Sequence, residues 1–288
     1  MAEKIKIVSD TNADVPKEYV EKYNIDLIPS FIIVDDKTYR DYFDINAEQF
    51  CKILDNVTEK TELSTAQANI DSFLQCFKKW ASEGYKIIVF TISSEGSGTF
   101  QTANLAKQYI LEEMDADIEI IDSQTYSLVY GHAVIEAAKM AHEGSASMEE
   151  IVTRSKEIIA SGNAFFAVDT LKFLKKGGRI KPAVAAIGEI LNIKPLLNVQ
   201  DGLINNVEKI RGSKRVVPRI IELLKEENIT ADCKIFVLDG GSPENTAAMA
   251  DALKSELGVE NPEIAKIGPA ILLNTGPGIS GVIYFKKS

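Results

Sequence analysis

Short apolar runs alternate with longer amphipathic stretches along the first half of the chain. Four apolar runs are typical of buried strands, and they lie at 4–9, 26–34, 86–93 and 117–122. Apolar residues recur at helical spacing in four longer stretches, at 16–23, 70–82, 99–113 and 128–143. This alternation predicts an α/β fold in which a parallel, doubly wound sheet carries helices on both faces.

The pattern changes after about residue 160, where strand-like runs become more frequent. Helices are predicted at 148–160, 170–176, 216–226 and 246–257. Strands are predicted at 163–169, 190–199, 203–210, 234–239, 264–273 and 281–285. We therefore predict two domains, a parallel α/β domain at 1–160 and an α+β domain with a mixed sheet at 161–288. The segment around 60–70 is a candidate to pack with the second domain.

Composition narrows the classes of function. The chain has 288 residues and a net charge of −10, which disfavours sequence-independent binding to nucleic acid and docking on anionic lipid. The three cysteines are scattered without CxxC spacing, so neither a disulfide framework nor a zinc site is expected. The N-terminus has no signal-peptide core, and no apolar run is long enough to span a membrane. We expect a cytoplasmic protein without a metal.

Hydroxyl-rich turns follow three predicted strands, at 9–12, 93–94 and 122–123. Parallel strands place their carboxyl ends at one edge of the sheet, so these turns are expected to share a cleft. The loop at 93–99 is the strongest candidate for a site, because it lies between a strand and a helix whose N-terminus favours an anion. Its hydroxyls and glycine are those of Ser93, Ser94, Ser97, Gly98 and Thr99. Alternatively, it is a tight turn whose serines cap the next helix.

Two kinds of chemistry are disfavoured at this loop. A nucleotide-binding P-loop needs a lysine that is absent here, and Glu95 would repel phosphates. The sequence around Ser97 does not match the nucleophile elbow of serine hydrolases. The two histidines, His132 and His142, lie on a predicted helix away from the strand ends. A catalytic triad is therefore not expected.

Three other segments carry candidate residues. Arg179 follows a Gly–Gly turn and has the planar fork that binds a carboxylate or a phosphate, whereas the neighbouring lysines need only complement a helix C-terminus. Asn274 precedes a Gly–Pro–Gly turn, which is ordinarily no more than a rigid connection. Ser64 and Thr65 precede a predicted helix and are equally explained as caps.

Taken together, these segments resemble the DegV family of bacterial fatty-acid-binding proteins. Residues 8–16 look like the family's opening D-S-T-A-D-x-P, and 93–103 are similar to its S-S-x-L-S-G-T-Y-x-S-A block. Residues 121–123 match a third block, 174–180 match L-x-K-G-G-R-I, and 267–278 match the C-terminal block. The five blocks follow the family's order and are spread along nearly the full length of the chain.

The resemblance implies two α/β lobes that enclose an apolar tunnel, with the carboxylate of a long-chain fatty acid bound at one end. By motif position, Ser97 and Ser64 are the head-group hydroxyls, and Thr65 lies next to them. Arg179 is the arginine linked to the acyl phosphate that forms when a partner fatty acid kinase phosphorylates the bound acid. The family member is then a carrier without a cofactor of its own, and the kinase is the catalyst.

The chain departs from the family pattern at three places. Asn274 stands where the family has a histidine, so a head-group hydrogen bond needs the amide NH₂ turned inward. Gly96 replaces a leucine, which is expected to loosen the loop or reshape the tunnel. The family's T-S-Q-P stretch has lost its proline at 64–67.

Burial of the acyl chain would supply most of the affinity, at about 0.8 kcal/mol per methylene. The apolar residues near Arg179 are candidate tunnel walls, although they fit an ordinary core equally well: Phe165, Phe166, Phe173, Ile187, Ile190 and Leu191. Two alternatives remain at this point. One is an enzyme or kinase substrate subunit acting on a small phosphorylated or hydroxylated metabolite, and the other is an interaction protein with an empty cleft.

Overall fold

The computed structural model describes residues 3–58, 60–182 and 193–287, in which two large sheets lie on either side of a central helix. The strands of the first half are β1 (Ile5–Asp10), β2 (Asp26–Ile28), β3 (Phe31–Val34), β4 (Lys37–Arg40), β5 (Leu63–Ala66), β6 (Lys86–Thr91) and β7 (Ile118–Asp122). Its helices are α1 (Lys17–Lys22), α2 (Ala47–Leu54), α3 (Ile70–Ser82), α4 (Thr99–Glu113), α5 (Leu128–Glu143) and α6 (Met148–Ser161).

The second half continues with β8 (Gly162–Ala167), β9 (Ile193–Gln200), β10 (Leu203–Arg211), β11 (Ile235–Asp239), β12 (Glu263–Lys266) and β13 (Ser280–Phe285). Its helices are α7 (Lys172–Gly177), α8 (Val216–Glu226), α9 (Pro243–Leu257) and α10 (Pro269–Thr275).

The first sheet is parallel and has the strand order β2-β1-β6-β7. Its central strands, β1 and β6, are buried on both faces, which explains why their sequences are rich in apolar residues. Helices α3 and α4 cover one face, and α5 and α6 cover the other. The predicted doubly wound parallel sheet is confirmed.

The second sheet is mixed, with the strand order β10-β9-β8-β13-β11-β12. Its pairs are antiparallel except for β11 with β12. Helices α8 and α9 pack on one face, and the other face turns toward α5. The mixed sheet is confirmed, while the division into domains at residue 160 stays a prediction.

A strand predicted at 26–34 is in fact two strands in two sheets. Pro29 has no N–H to donate, and it separates β2 from β3. β3 pairs with β4 and β5 in a small antiparallel sheet, and β5 packs against α10.

The strand predicted at 264–273 is confirmed at 264–266 and wrong from Pro269 onward. The first four residues of the segment belong to or adjoin β12, but Gly268 then caps helix α10 and Pro269 occupies its first turn. Proline is favoured at the first turn of a helix because no intrahelical bond is lost there. The apolar residues Leu272 and Leu273 are buried in helical conformation, so the apolar run alone did not distinguish helix from strand.

Helix α5 lies between the two sheets and contacts β1 of the first and β8 and β13 of the second. Nine of its residues are buried, and a helix apolar on most sides is typical of the centre of a protein. One core cluster extends from β1 and β6 through α5 to β8 and β13. This arrangement places the carboxyl ends of the parallel strands opposite the second sheet.

Candidate functional site

A cavity of about 370 Å³ lies between the two large sheets, and we call it the inner cavity. Most of its wall is apolar and comes from both halves of the chain. The apolar lining residues include Ile92, Val129, Ala164, Phe166, Leu238, Ile267, Ile271, Ile279 and Ile283. A cavity of this size is at the lower end of the range found for small-molecule sites.

Polar groups converge at one part of this wall. Ser97 lines the cavity between Gly96 and Gly98, just before the N-terminus of the 15-residue helix α4. The Arg179 guanidinium donates through Nε to the Gly96 carbonyl at 2.9 Å and through Nη1 to the Gly177 carbonyl. These two hydrogen bonds join the loop at 93–99 to the Gly–Gly turn after α7. An anion here would meet hydroxyls, a helix N-terminus and a guanidinium.

The predicted hydroxyls of the loop do different things. The Ser97 and Thr99 hydroxyls are 2.9 Å apart, and Ser97 lines the cavity while Thr99 is buried behind it. The Ser93 hydroxyl donates to the Gly202 carbonyl at 2.8 Å. The Ser94 hydroxyl donates to the Asp122 carboxylate at 2.5 Å. Ser93 and Ser94 thus bind protein groups, and neither lines the inner cavity, although the ligand-binding roles assigned from the sequence stay predictions.

Side chains pack closely against two glycines of the loop. A Cβ on Gly96 would lie 2.3 Å from the Tyr126 hydroxyl, which itself donates to the Gly202 carbonyl at 2.8 Å. A Cβ on Gly98 would lie 2.0 Å from Oε1 of Gln67. The Tyr126 side chain therefore occupies the space beside Gly96, and its burial raises its pKa to about 12. The loop is packed at this point, contrary to the expected loosening.

A second cleft, of about 850 Å³, adjoins the polar part of the inner cavity, and we call it the outer cleft. Thr65, Arg179 and Asn274 line both spaces and therefore mark their junction. Ser64 is exposed and lines the outer cleft but not the inner cavity. Two exposed lysines, Lys172 and Lys176, also line the outer cleft, which gives this junction a cationic outer side.

The amide of Asn274 is turned with its oxygen toward the Gly–Gly turn. Its Nδ2 donates to the Ala270 carbonyl at 2.9 Å, and its Oδ1 is buried without a hydrogen-bond partner among the described residues. A Cβ on Gly177 would lie 2.3 Å from that oxygen. In this orientation Asn274 offers an acceptor, whereas a bound carboxylate needs a donor. The inward NH₂ expected from the sequence requires the amide to rotate.

Sequence reasoning missed several lining residues and misplaced one. Asn12, Ser30 and Ser127 line the inner cavity, and the turn at 9–12 was the available signal for the first of them. Phe166 lines the inner cavity, but its neighbour Phe165 points to the other face of the sheet. Phe173 lines the outer cleft. Ile187, Ile190 and Leu191 lie outside the described residues.

The family model described as "Uncharacterised protein, DegV family" matches residues 4–287. The chain belongs to the DegV family. A DegV domain-containing protein of Caldanaerobacter subterraneus subsp. tengcongensis is 34% identical over 286 residues, which cover 99% of this chain and 100% of that relative.

Solved structures of DegV proteins have the same fold. A stearic acid-binding protein from Eubacterium ventriosum is similar with a TM-score of 0.87 at 28% identity, covering 99% of this chain and 98% of that one. A DegV family protein from Thermus thermophilus, described for its fatty acid binding, gives a TM-score of 0.87 at 26% identity, with 99% and 100% covered. The predicted DegV-like α/β fold is confirmed.

Two findings concern what the described part of this DegV chain does not contain. Within it, no helix is both long and apolar enough to cross a membrane. No group of three His, Cys, Asp or Glu side chains in residues 3–58, 60–182 and 193–287 is arranged to hold a metal ion.

Proposed function

We propose that this protein is a cytoplasmic carrier that binds one long-chain fatty acid in the inner cavity, with the carboxylate beside Ser97 and the chain along the apolar wall. The observation that carries the proposal is the chemical division of that cavity. Its polar part contains a hydroxyl, a helix N-terminus and Arg179, and its remaining wall is largely apolar. Fatty-acid-binding DegV relatives with the same fold support this ligand class.

The two ends of the ligand need different surroundings. A buried carboxylate without donors would cost several kcal/mol or take up a proton. Ser97 and the first N–H groups of α4 supply neutral donors, and Arg179 adds a full positive charge beside them. Each buried methylene adds about 0.8 kcal/mol, so affinity is expected to rise with chain length.

We further propose that the outer cleft presents the head group to a fatty acid kinase. Thr65, Arg179 and Asn274 stand where the two spaces meet, so a carboxylate at this junction can be approached from the outer side. Formation of an acyl phosphate adds negative charge there, and Lys172, Lys176 and Arg179 supply cations. The chain itself then acts without a cofactor and leaves the chemistry to the kinase.

The ligand class is tested by extracting the purified protein with organic solvent and identifying bound acids by mass spectrometry. We expect one acyl chain per protein, or uptake of one on incubation. Thermal-shift screening separates the alternative enzymatic function, since long-chain acids should stabilise the protein and triose phosphates should not. Stabilisation by the phosphates alone would contradict the carrier.

Replacing Ser97 with alanine is expected to weaken fatty acid binding by about 1–3 kcal/mol, or about five- to 150-fold in Kd, because a donor to a charged group is lost. Ser94→Ala is the matched control in the same loop, since the Ser94 hydroxyl bonds Asp122 and does not line the cavity. Titration with a fluorescent long-chain acid measures both. Equal affinities for Ser97→Ala and the wild type would place the carboxylate elsewhere.

Removing both lysines of the outer cleft, in the Lys172→Ala/Lys176→Ala variant, is expected to slow kinase-dependent phosphorylation about tenfold, as the loss of two nearby charges at about 0.7 kcal/mol each would do. Fatty acid affinity should change less than about twofold, because neither lysine lines the inner cavity. Lys17→Ala/Lys37→Ala removes the same charge from exposed positions outside both spaces. Phosphorylation at the wild-type rate in the first variant would exclude this role for the cleft.

A further inference from the structure

Three aspartates lie behind one wall of the inner cavity. Asp10 ends β1, Asp14 follows the short 3₁₀ turn Thr11–Ala13, and Asp41 follows β4. Asp10 and Asp41 are buried, with 0% and 1% of their surface exposed, while Asp14 is partly exposed. The fatty acid carboxylate site does not use these side chains, because none of the three lines the inner cavity.

Each carboxyl contacts a different residue of the cavity wall. The Asp10 carboxyl accepts from Nδ2 of Asn12 at 2.9 Å, and the Asp14 carboxyl accepts from the Ser127 hydroxyl. The Asp41 carboxyl interacts with the backbone N–H of Ala270. Asn12, Ser127 and Ala270 all line the inner cavity. The three acids therefore form a layer directly behind the wall.

Two of the acids adjoin the start of α10, and Asp14 accepts a hydrogen bond from it. The Gly268 N–H donates to Oδ1 of Asp14 at 3.0 Å, and Asp41 interacts with Ala270 two residues later. A Cβ on Gly268 would lie 2.4 Å from Oδ1 of Asp14 and 4.0 Å from Oδ1 of Asp41, so both oxygens adjoin this residue. Helix α10 contributes Ala270, Ile271, Asn274 and Thr275 to the cavity wall. Any shift of its start moves that wall.

The groups that face Asp41 leave its charge uncompensated. Oδ1 of Asp41 is buried and has no hydrogen-bond partner in the described part of the chain. The strongest influences on its carboxyl are burial, the Thr11 hydroxyl, the backbone N–H groups of Ala270 and Tyr42, and the charge of Asp10. Asp14 feels the charges of Asp41 and Asp10, and the Tyr130 hydroxyl of α5 donates to Asp10 at 2.8 Å. These leading influences include no cation, so a proton is the simplest means of neutralising Asp41.

We propose that Asp41 is a proton-sensitive positioning residue, which braces the start of α10 while its carboxyl is protonated and weakens acyl-chain binding when it ionises. Burial raises the pKa of Asp41 to about 7, so the proton is held below this pH and lost above it. An ionised Asp41 faces Asp10 and Asp14 in a poorly hydrated site, and the strain is relieved by displacing α10. This inference rests on the proposed fatty acid site.

The test compares fatty acid affinity between pH 6 and 8.5 in the wild type, Asp41→Asn and Asp36→Asn. Linkage to one proton allows at most about a tenfold change per pH unit, so we expect the wild-type Kd to rise about fivefold or more. Asp41→Asn keeps the size and the acceptor but cannot ionise, and its Kd should change less than about twofold relative to its value at pH 6. The exposed Asp36 serves as a control for a remote carboxyl. Equal pH slopes in the wild type and Asp41→Asn would overturn the proposal.

A ligand-free measurement separates this proposal from the proposed function. Burial also raises the pKa of Asp10 and Asp14, so the infrared absorption of protonated carboxyls is compared between variants. One component of it should disappear as pH rises through 7 in the wild type, and that component should be missing in Asp41→Asn. Amide exchange in α10, corrected for its intrinsic pH dependence, should accelerate over the same interval only where Asp41 is present. If no fatty acid binds at any pH, the proposed function fails, but these two signals still show whether protonation of Asp41 stabilises the start of α10. Unchanged exchange across this interval would overturn it.

Discussion

Replacing Ala164 with phenylalanine is expected to weaken binding of a long-chain fatty acid by about two orders of magnitude. Ala164 lies on β8 and lines the inner cavity together with Phe166, two residues along the same strand face. The added ring takes the space of about four methylenes, and at about 0.8 kcal/mol each their exclusion costs about 3 kcal/mol. That energy corresponds to about 100-fold in Kd.

A chain-length series makes this prediction specific. Shorter acids that do not reach the ring should lose much less affinity in Ala164→Phe than long ones. Ala248→Phe, the same substitution on the exposed side of α9, controls for added hydrophobic surface. Thermal unfolding of each ligand-free variant checks that the fold is intact. Long-chain affinity that is unchanged in a folded Ala164→Phe protein would mean that the chain does not lie in the inner cavity.

The pattern of apolar and polar residues predicted the elements well where burial of one helix face, or of both strand faces, determines which residues are apolar. Helices α3, α4 and α5 have the predicted bounds, because their apolar spacing and polar flanks agree. The helix α10 was missed because the short apolar run 270–273 fits a buried helix and a buried strand equally. Only the Gly268–Pro269 pair contained the information, as a helix start.

The candidate site shows the same division between local and tertiary information. Ser97 could be singled out because a strand, a small-residue loop and a helix follow one another in sequence. The wall of the cavity could not be predicted from the sequence, because Phe165 and Phe166 differ only in which face of β8 they occupy. Which face borders a cavity depends on α5 and the opposite sheet, and these are distant in sequence.

Gly96 illustrates how a departure from a family pattern acquires a physical reason. From the sequence, its missing side chain suggests a looser loop. In the fold, the Tyr126 ring takes the space, and its hydroxyl joins Ser93 at the Gly202 carbonyl. The hairpin between β9 and β10 is therefore fastened to the loop at 93–99 by the Ser93 hydroxyl and to Tyr126 by a second hydrogen bond to the same carbonyl. This compensation involves residues that are 30 and 106 positions away from Gly96 in the chain.

Two buried groups are expected to change the free energy of unfolding in opposite directions as the pH falls, and single variants should reveal each contribution. His132 packs edge-on against the rings of Phe236 and Phe285, and burial lowers the pKa of His132 to about 4. The unfolded chain takes up this proton near pH 6.5, so the stability supplied by neutral His132 is lost as pH falls from 6.5 to 4. At about 1.4 kcal/mol per pH unit, this loss is about 3 kcal/mol.

Asp41 contributes with the opposite sign. Its pKa is about 7 in the fold against an ordinary value of 3.8, so the folded state retains a proton that the unfolded chain releases between those values. Stability is therefore gained as pH falls from 7 to about 4, by about 4 kcal/mol. The two contributions nearly cancel in the wild type, although each is a large part of a typical folding free energy of about 5–15 kcal/mol.

Single variants should expose each contribution. Between pH 6.5 and 4, the free energy of unfolding of Asp41→Asn in urea is expected to fall by about 3 kcal/mol more than that of the wild type. In His132→Phe, it should instead rise by about 3 kcal/mol relative to the wild type over the same interval, because only the aspartate contribution remains. Surface carboxyls titrate alike in all three proteins, so the differences between profiles report His132 in one variant and, in the other, Asp41 together with the aspartates coupled to it. Parallel profiles for Asp41→Asn and the wild type would show that Asp41 is ionised throughout, and the proton-dependent brace on α10 would fail with it.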